Sequence, residues 1–260
     1  MNRALGLLIL ASLVWLVACQ NRAYGPSPRR PMLGTQPEYP CTFTHTRPDL
    51  SGAVENVPWS SAPWSDPFMH MSGDGRTAET RTWVKLMWDA RALYVGAVIE
   101  TPDAQAKRTT HDSALDQEDN FTLLLDPAGD GRELFVIVTN AHGAIRDLRF
   151  VKPPSQGGVE ELAWNCPGLD GGVRVQGTLN DASDRDRSWT FEMAIPWECL
   201  GVSAPVPGDI WRANLMRNDM PDGHASEPDS TGDARAWTPS WGEHFMEPQH
   251  WGRIQFTRTK

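Results

Sequence analysis

The 260 residues carry 24 Lys and Arg against 33 Asp and Glu, a formal net charge of -9. A nucleic-acid binder needs a surface that neutralises phosphates, and this balance argues against one. The length admits one large all-β domain or two small ones with a sizeable core. Twelve Trp exceed what such a chain ordinarily holds, and each either fills that core or offers a flat stacking face.

At the N-terminus Arg3 precedes the apolar run Ala4 to Ala18, which is short of the roughly 20 residues of a membrane span. Residues 1–18 therefore read as a signal peptide. Leu16-Val17-Ala18-Cys19 resembles the bacterial lipobox, in which the Cys becomes the first mature residue and is lipidated. An ordinary signal peptide with an incidental Cys is the alternative. By resemblance to lipoprotein sorting in bacteria with two membranes, Gln20 in place of Asp points to the outer membrane, with the lipid as the only membrane contact. Residues 19–40 hold Pro26, Pro28, Pro31, Pro37 and Pro40 beside Arg29 and Arg30, with no apolar periodicity. Such a stretch is a tether.

From residue 41 to 260 the pattern is that of strands with one face buried. Val84, Leu86 and Trp88 share a face; after a turn at Asp89 to Ala92, so do Leu93, Val95, Ala97 and Ile99, which predicts a hairpin. Similar alternation marks Phe121, Leu123 and Leu125; Val173, Val175 and Leu179; Trp189, Phe191, Met193 and Ile195; and Trp211, Ala213 and Leu215. The best helix signal is a single turn at Pro196 to Leu200. Many short strands separated by Gly, Pro and Asp, with few short helices, predict an all-β antiparallel sandwich.

Several runs then become recognisable in order. They are Thr82 to Asp89 with Leu93-Tyr94-Val95; Asn120 to Pro127 with Gly129-Asp130-Gly131; Trp164 to Leu169; Gly177 to Asp181; Trp189 to Trp197; and Trp237-Thr238-Pro239 with Glu247 to Gly252. In this order and spacing, from roughly Tyr39 to Thr257, they resemble the family 9 carbohydrate-binding modules. The resemblance implies a non-catalytic β-sandwich that binds oligo- or polysaccharide, often fused to glycoside hydrolases, with structural calcium in some members.

Sugar binding needs aromatic faces against the C–H face of the ring, with hydrogen-bonding groups around the hydroxyls. The resemblance places one wall just before Phe121 and an acid inside the following strand, where this chain has Asp116 and Thr122. The other wall falls in the C-terminal loop, among Trp237, Trp241, Phe245 and Trp251, Phe245 being closest in position. Trp88, Trp189, Trp211 and Trp251 lie in strand-like runs and read as core. The departures at Asp116 and Thr122 leave a second reading open, a structural or protein-interaction sandwich without a sugar pocket.

Asp126 and Asp130 flank a Gly-rich loop that could ligate calcium, as could Asp181, Asp184 and Asp186; a plain solvated turn is the alternative. Cys166 and Cys199 depart from the residues the family carries, which suits a bridge between them, while Cys41, Cys166 and Cys199 could equally all be small buried hydrophobes. The acidic neighbours Glu118-Asp119 and Glu160-Glu161 are the nearest approach to a glycosidase pair. His244 and His250 lack a third ligand in register for zinc, and no hydrolase or phosphate-loop motif is present.

Overall fold

The computed structural model describes residues 36–71, 80–219, 233–239 and 245–258. The expected signal peptide, Cys19, the expected tether up to residue 35, Trp241 and His244 lie outside them. Thirteen strands follow in chain order: β1 Glu38–Phe43, β2 Met69–His70, β3 Thr82–Trp88, β4 Ala92–Glu100, β5 Asn120–Asp126, β6 Leu134–Thr139, β7 Ile145–Phe150, β8 Glu160–Glu161, β9 Asp170–Gln176, β10 Ser188–Pro196, β11 Ile210–Asp219, β12 Asp233–Ala236 and β13 Gly252–Thr257. The predicted hairpin is β3 and β4, with Trp88 opposite Leu93. Its turn is closed by Asp89, whose Oδ1 accepts the N–H groups of Arg91 at 2.7 Å and Ala92 at 3.0 Å.

Hydrogen bonding links the strands in the order β8-β7-β6-β5-β11-β13-β1-β3-β4-β10-β9, with β12 beside β11 and β2 beside β12. Phe121 on β5 and Phe191 on β10 stand six steps apart in that order, about 29 Å in a flat sheet at about 4.8 Å per strand. Their ring centroids are 4.8 Å apart. The sheet therefore folds over on itself, which is how it makes a sandwich. One layer contains β3, β4, β10 and β9, the other β11, β5, β6 and β7, and β13 and β1 join them. Between the layers lies the main core, built from Phe121, Leu123, Phe135, Ile137, Val84, Leu86, Phe191, Trp211 and their neighbours.

The antiparallel expectation holds for the described pairings except those of β1, which runs parallel to both β13 and β3. This strand also takes in Glu38 to Pro40, which the proline count had assigned to the tether. Pro40 is tolerated there because β1 meets β3 only from Thr42 onward, so the ring stands where one side of the strand has no ladder to interrupt. The turn foreseen after Pro196 forms, with Leu200 N–H donating to Trp197 O at 3.2 Å. Cys166 and Cys199 are joined in a disulfide with a Cα–Cα distance of 4.8 Å, and Cys41 is a buried free thiol.

Candidate functional site

Each layer has an outer face, and the two are finished differently. On the first layer, Gly96 of β4 lies opposite Glu192 of β10, which lies opposite Gly172 of β9. The missing side chains let the segment from Leu50 to Trp59 lie directly on the sheet. A Cβ at Gly96 would meet Val54 Cγ1 at 2.7 Å, and one at Gly172 would meet Leu50 O at 2.0 Å. Glu192 anchors the segment: its carboxylate accepts the N–H of Gly52 at 2.6 Å, the N–H of Ala53 at 3.2 Å and the indole N–H of Trp59. Burial pushes this carboxyl above its usual range, against the lowering effect of those donors. Trp59 and Val54 of the segment pack with Tyr94, Met87 and Ala194 of the sheet as an apolar cluster. Beside it remains a groove of about 320 Å³ lined by Glu55, Glu100, Arg174, Gln176, Arg187 and Thr190, with no aromatic face in its lining.

The second layer is covered by loops. Leu115, in a 3-10 turn before β5, and Met246 and Trp251, in the C-terminal loop, join Leu124, Val136, Val138 and Leu148 in one cluster, with Met216 packed against it. Both loops that the sequence nominated for sugar contact therefore sit over the same face. Its floor includes the row Met216, Thr122, Val138 and Arg146, residues that lie opposite one another on β11, β5, β6 and β7. Thr122 donates its hydroxyl to Asn120 Oδ1 at 3.1 Å.

The first loop is held by a buried clamp. Glu118 accepts the N–H groups of Lys107 at 3.1 Å and Arg108 at 3.3 Å and the amide of Asn140 at 2.5 Å. Asn140 in turn accepts the N–H groups of His142 at 3.1 Å and Ala144 at 3.0 Å, tying the loop to the β6–β7 turn. With the loop fixed, exposed Asp116 meets Arg146 at 2.6 Å. An acid–guanidinium pair thus stands where the family resemblance calls for an aromatic wall.

Trp237 is 4% exposed, its indole lying on the Cα of Gly252 in the main core, so it has no face free for a sugar. Phe245 is 38% exposed, and its carbonyl accepts the indole N–H of Trp251 at 2.7 Å. Trp88, Trp189, Trp211 and Trp251 are buried, as their strand patterns require. Trp64, which no pattern singled out, is partly exposed with the Lys85 ammonium 4.4 Å from its ring centroid.

The acidic loop does not converge on a cation. Asp126 is 0% exposed and its two oxygens accept the N–H groups of Gly129 at 2.8 Å and Gly131 at 3.0 Å, while Asp130 turns back to Arg132 N–H at 2.9 Å. With both Asp126 oxygens taken up by backbone N–H groups and Asp130 turned to Arg132, the loop reads as a self-closed turn. Asp181 bonds Ser183, and Asp186 bonds Ala104 and Thr178, so that trio does not gather either. Glu160 and Glu161 lie against Arg146 at 3.6 Å and Arg149 at 2.5 Å, and Glu118 serves the clamp. Among the described residues, the convergent set of potential metal ligands is His111, Asp112 and Asp147, which the sequence reading missed.

No protein-family model matches the chain, and no curated protein does. Solved structures do. A family 9 carbohydrate-binding module from Caldicellulosiruptor kristjanssonii in complex with cellotriose superposes with a TM-score of 0.58 at 16% identity, over 86% of this chain and 95% of that one. Its glucose complex gives 0.58 at 17% identity, over 86% and 97%. A candidate carbohydrate-binding protein from Bacteroides uniformis gives 0.59 at 13% identity, over 84% and 97%. The described chain has the β-sandwich fold of the family 9 carbohydrate-binding modules.

Proposed function

We propose that this protein is a non-catalytic carbohydrate-binding module that holds oligo- or polysaccharide against the outer face of the second layer. The observation carrying this reading is that the Leu115 loop and the Phe245 loop cover one face, with an exposed ring on one loop and, at the other, the exposed Asp116 paired with a half-buried Arg146. The ring supplies a C–H-facing surface; Asp116, Arg146 and Thr122 supply acceptors and donors for hydroxyls. Trp241, the other aromatic the sequence nominates, lies outside the described residues. The fold is shared with modules crystallised with cellotriose and glucose, which supports the ligand class.

The lipobox-like Cys19 adds a lipid anchor, and the proline-rich tether adds reach, so the module would present captured glycan at the cell envelope, on the outer membrane, in support of carbohydrate catabolism. A glycan array probed with the full chain tests the binding: some oligosaccharide should be retained, and retention should fall in Phe245→Ala. A folded protein that retains none would overturn the reading. Cys19→Ala should release the protein from the membrane fraction, and unchanged partitioning would contradict the anchor.

A second reading is favoured by the Asp116–Arg146 pair and by the burial of Trp237, which leave the family's aromatic walls incomplete among the described residues. In it the sandwich serves as a structural or protein-interaction domain. The same array separates the two.

A further inference from the structure

We propose that His111, Asp112 and Asp147 form a binding site for a divalent first-row transition ion such as Zn²⁺, on the opposite side of β7 from Arg146. Alternate residues of a strand point to opposite faces, so Asp147 projects inward where Arg146 projects outward. Asp147 is 2% exposed, and one of its oxygens, Oδ2, accepts the N–H of Cys166 at 2.6 Å. The other, Oδ1, is buried and receives no hydrogen bond. A buried acceptor left in that state costs about 1–3 kcal/mol, so such groups are ordinarily completed by something.

What faces that oxygen is an imidazole. His111 Nε2 lies 3.0 Å from Asp147 Oδ1, close enough for an ion pair but out of line for a donated ring N–H. The two arginines of β7 do not serve it, since Arg146 meets Asp116 and Glu160, and Arg149 meets Glu161. Asp112 lies 3.0 Å from Nδ1, and donor atoms of all three residues fall within 4.8 Å of one another. The backbone fixes this arrangement, because Asp112 N–H donates to Ile145 O at 2.9 Å and so pins the loop beside β7.

The His111–Asp147 spacing suits a metal, with Asp112 near enough to close on it by a small side-chain turn. Two ligands each about 2.1 Å from an ion and about 90–109° apart are separated by about 3.0–3.4 Å. A neutral imidazole with two carboxylates supplies two negative charges, which a divalent ion matches. Nitrogen in the set favours Zn²⁺ or a similar ion over Ca²⁺ and Mg²⁺, which prefer all-oxygen cages. The His111 side chain is 50% exposed, so coordination positions remain open to water.

Calorimetry on the untagged full chain, with ZnCl₂, CaCl₂ and MgCl₂ in parallel, tests this. One Zn²⁺ per chain should bind, and Ca²⁺ and Mg²⁺ should bind at least about a hundredfold more weakly. His111→Ala and Asp147→Asn should each weaken Zn²⁺ binding by at least about tenfold. Because Asp147→Asn disturbs a buried group, the half-exposed His111→Ala, checked for an unchanged circular dichroism spectrum, decides. Absence of Zn²⁺ binding, or binding unchanged in His111→Ala, would overturn the site and leave a proton-bridged His–Asp pair only.

Discussion

The outer faces of the two layers begin from the same problem, an apolar sheet surface that must be covered, and solve it in opposite ways. The first layer is sealed by a chain segment that two glycines admit and a buried glutamate ties down. The second is roofed by two loops whose apolar side chains turn inward while Phe245, Asp116 and Arg146 remain at the rim. A face closed by buried polar bonds cannot take up a ligand without breaking them, whereas a rim of exposed ring and charge can. Stability should therefore be sensitive on the first face and ligand affinity on the second.

Substitutions that uncover the first face should have the largest effect. Trp59→Ala removes a fully buried indole and leaves Glu192 short of a donor, so denaturant unfolding should show a loss of about 3–5 kcal/mol. Next comes the disulfide, whose partners are 33 residues apart. Replacing both cysteines with serine should cost about 3–4 kcal/mol by the loop-closure argument, read as a lowered denaturation midpoint.

Glu192→Gln should be milder, about 1–3 kcal/mol, because one amide oxygen can still accept while the N–H groups of Gly52 and Ala53 compete for it. The same variant has a pH signature. The Glu192 carboxyl is raised above 4.5 and that of Asp126 above 3.8, in both cases chiefly by burial. The folded protein therefore holds protons that the unfolded chain has released. Stability on this account falls as pH rises from those ordinary values through the raised ones and then levels, and Glu192→Gln should flatten part of that slope. A slope of opposite sign in this range, or one unaffected by the substitution, would break the assignment.

The smallest effect on stability should come from the second face. Phe245→Ala is expected to change unfolding by less than about 0.5 kcal/mol, yet to weaken any glycan bound by about five- to thirtyfold, the loss of a stacking contact worth about 1–2 kcal/mol. If Trp59→Ala lowered affinity more than stability, or Phe245→Ala did the reverse, the contrast between the faces would fail.

Much of this layout could be read from residue order, and the exceptions share a cause. The β3–β4 hairpin, β5, β10 and β11 announced themselves because their apolar residues alternate. β6 did not, because Leu134, Val136 and Val138 face the outer cluster while Phe135 and Ile137 face the main core, so the strand is apolar throughout. Glu192 read as the solvent side of an alternating run, since nothing local reveals that a distant segment will cover it. The sequence reading places Trp237 in the C-terminal loop as a sugar-facing ring, but the space that buries it is provided by Gly252. Fourteen residues on, Trp251 read correctly as core because its strand-like run extends into β13. The His111, Asp112 and Asp147 set was invisible for a related reason: loop and strand are brought together by one backbone hydrogen bond and a buried clamp, neither of which has a sequence signature.

The contrast between the faces is tested most directly by titrating an oligosaccharide retained on the glycan array into isotope-labelled protein and following backbone amide signals. Our account predicts shifts at Asp116, Thr122, Arg146, Phe245 and Met246, with Gly52, Ala53, Arg174 and Arg187 still. Shifts confined to the groove beside Arg174 and Arg187, with the second face silent, would contradict it.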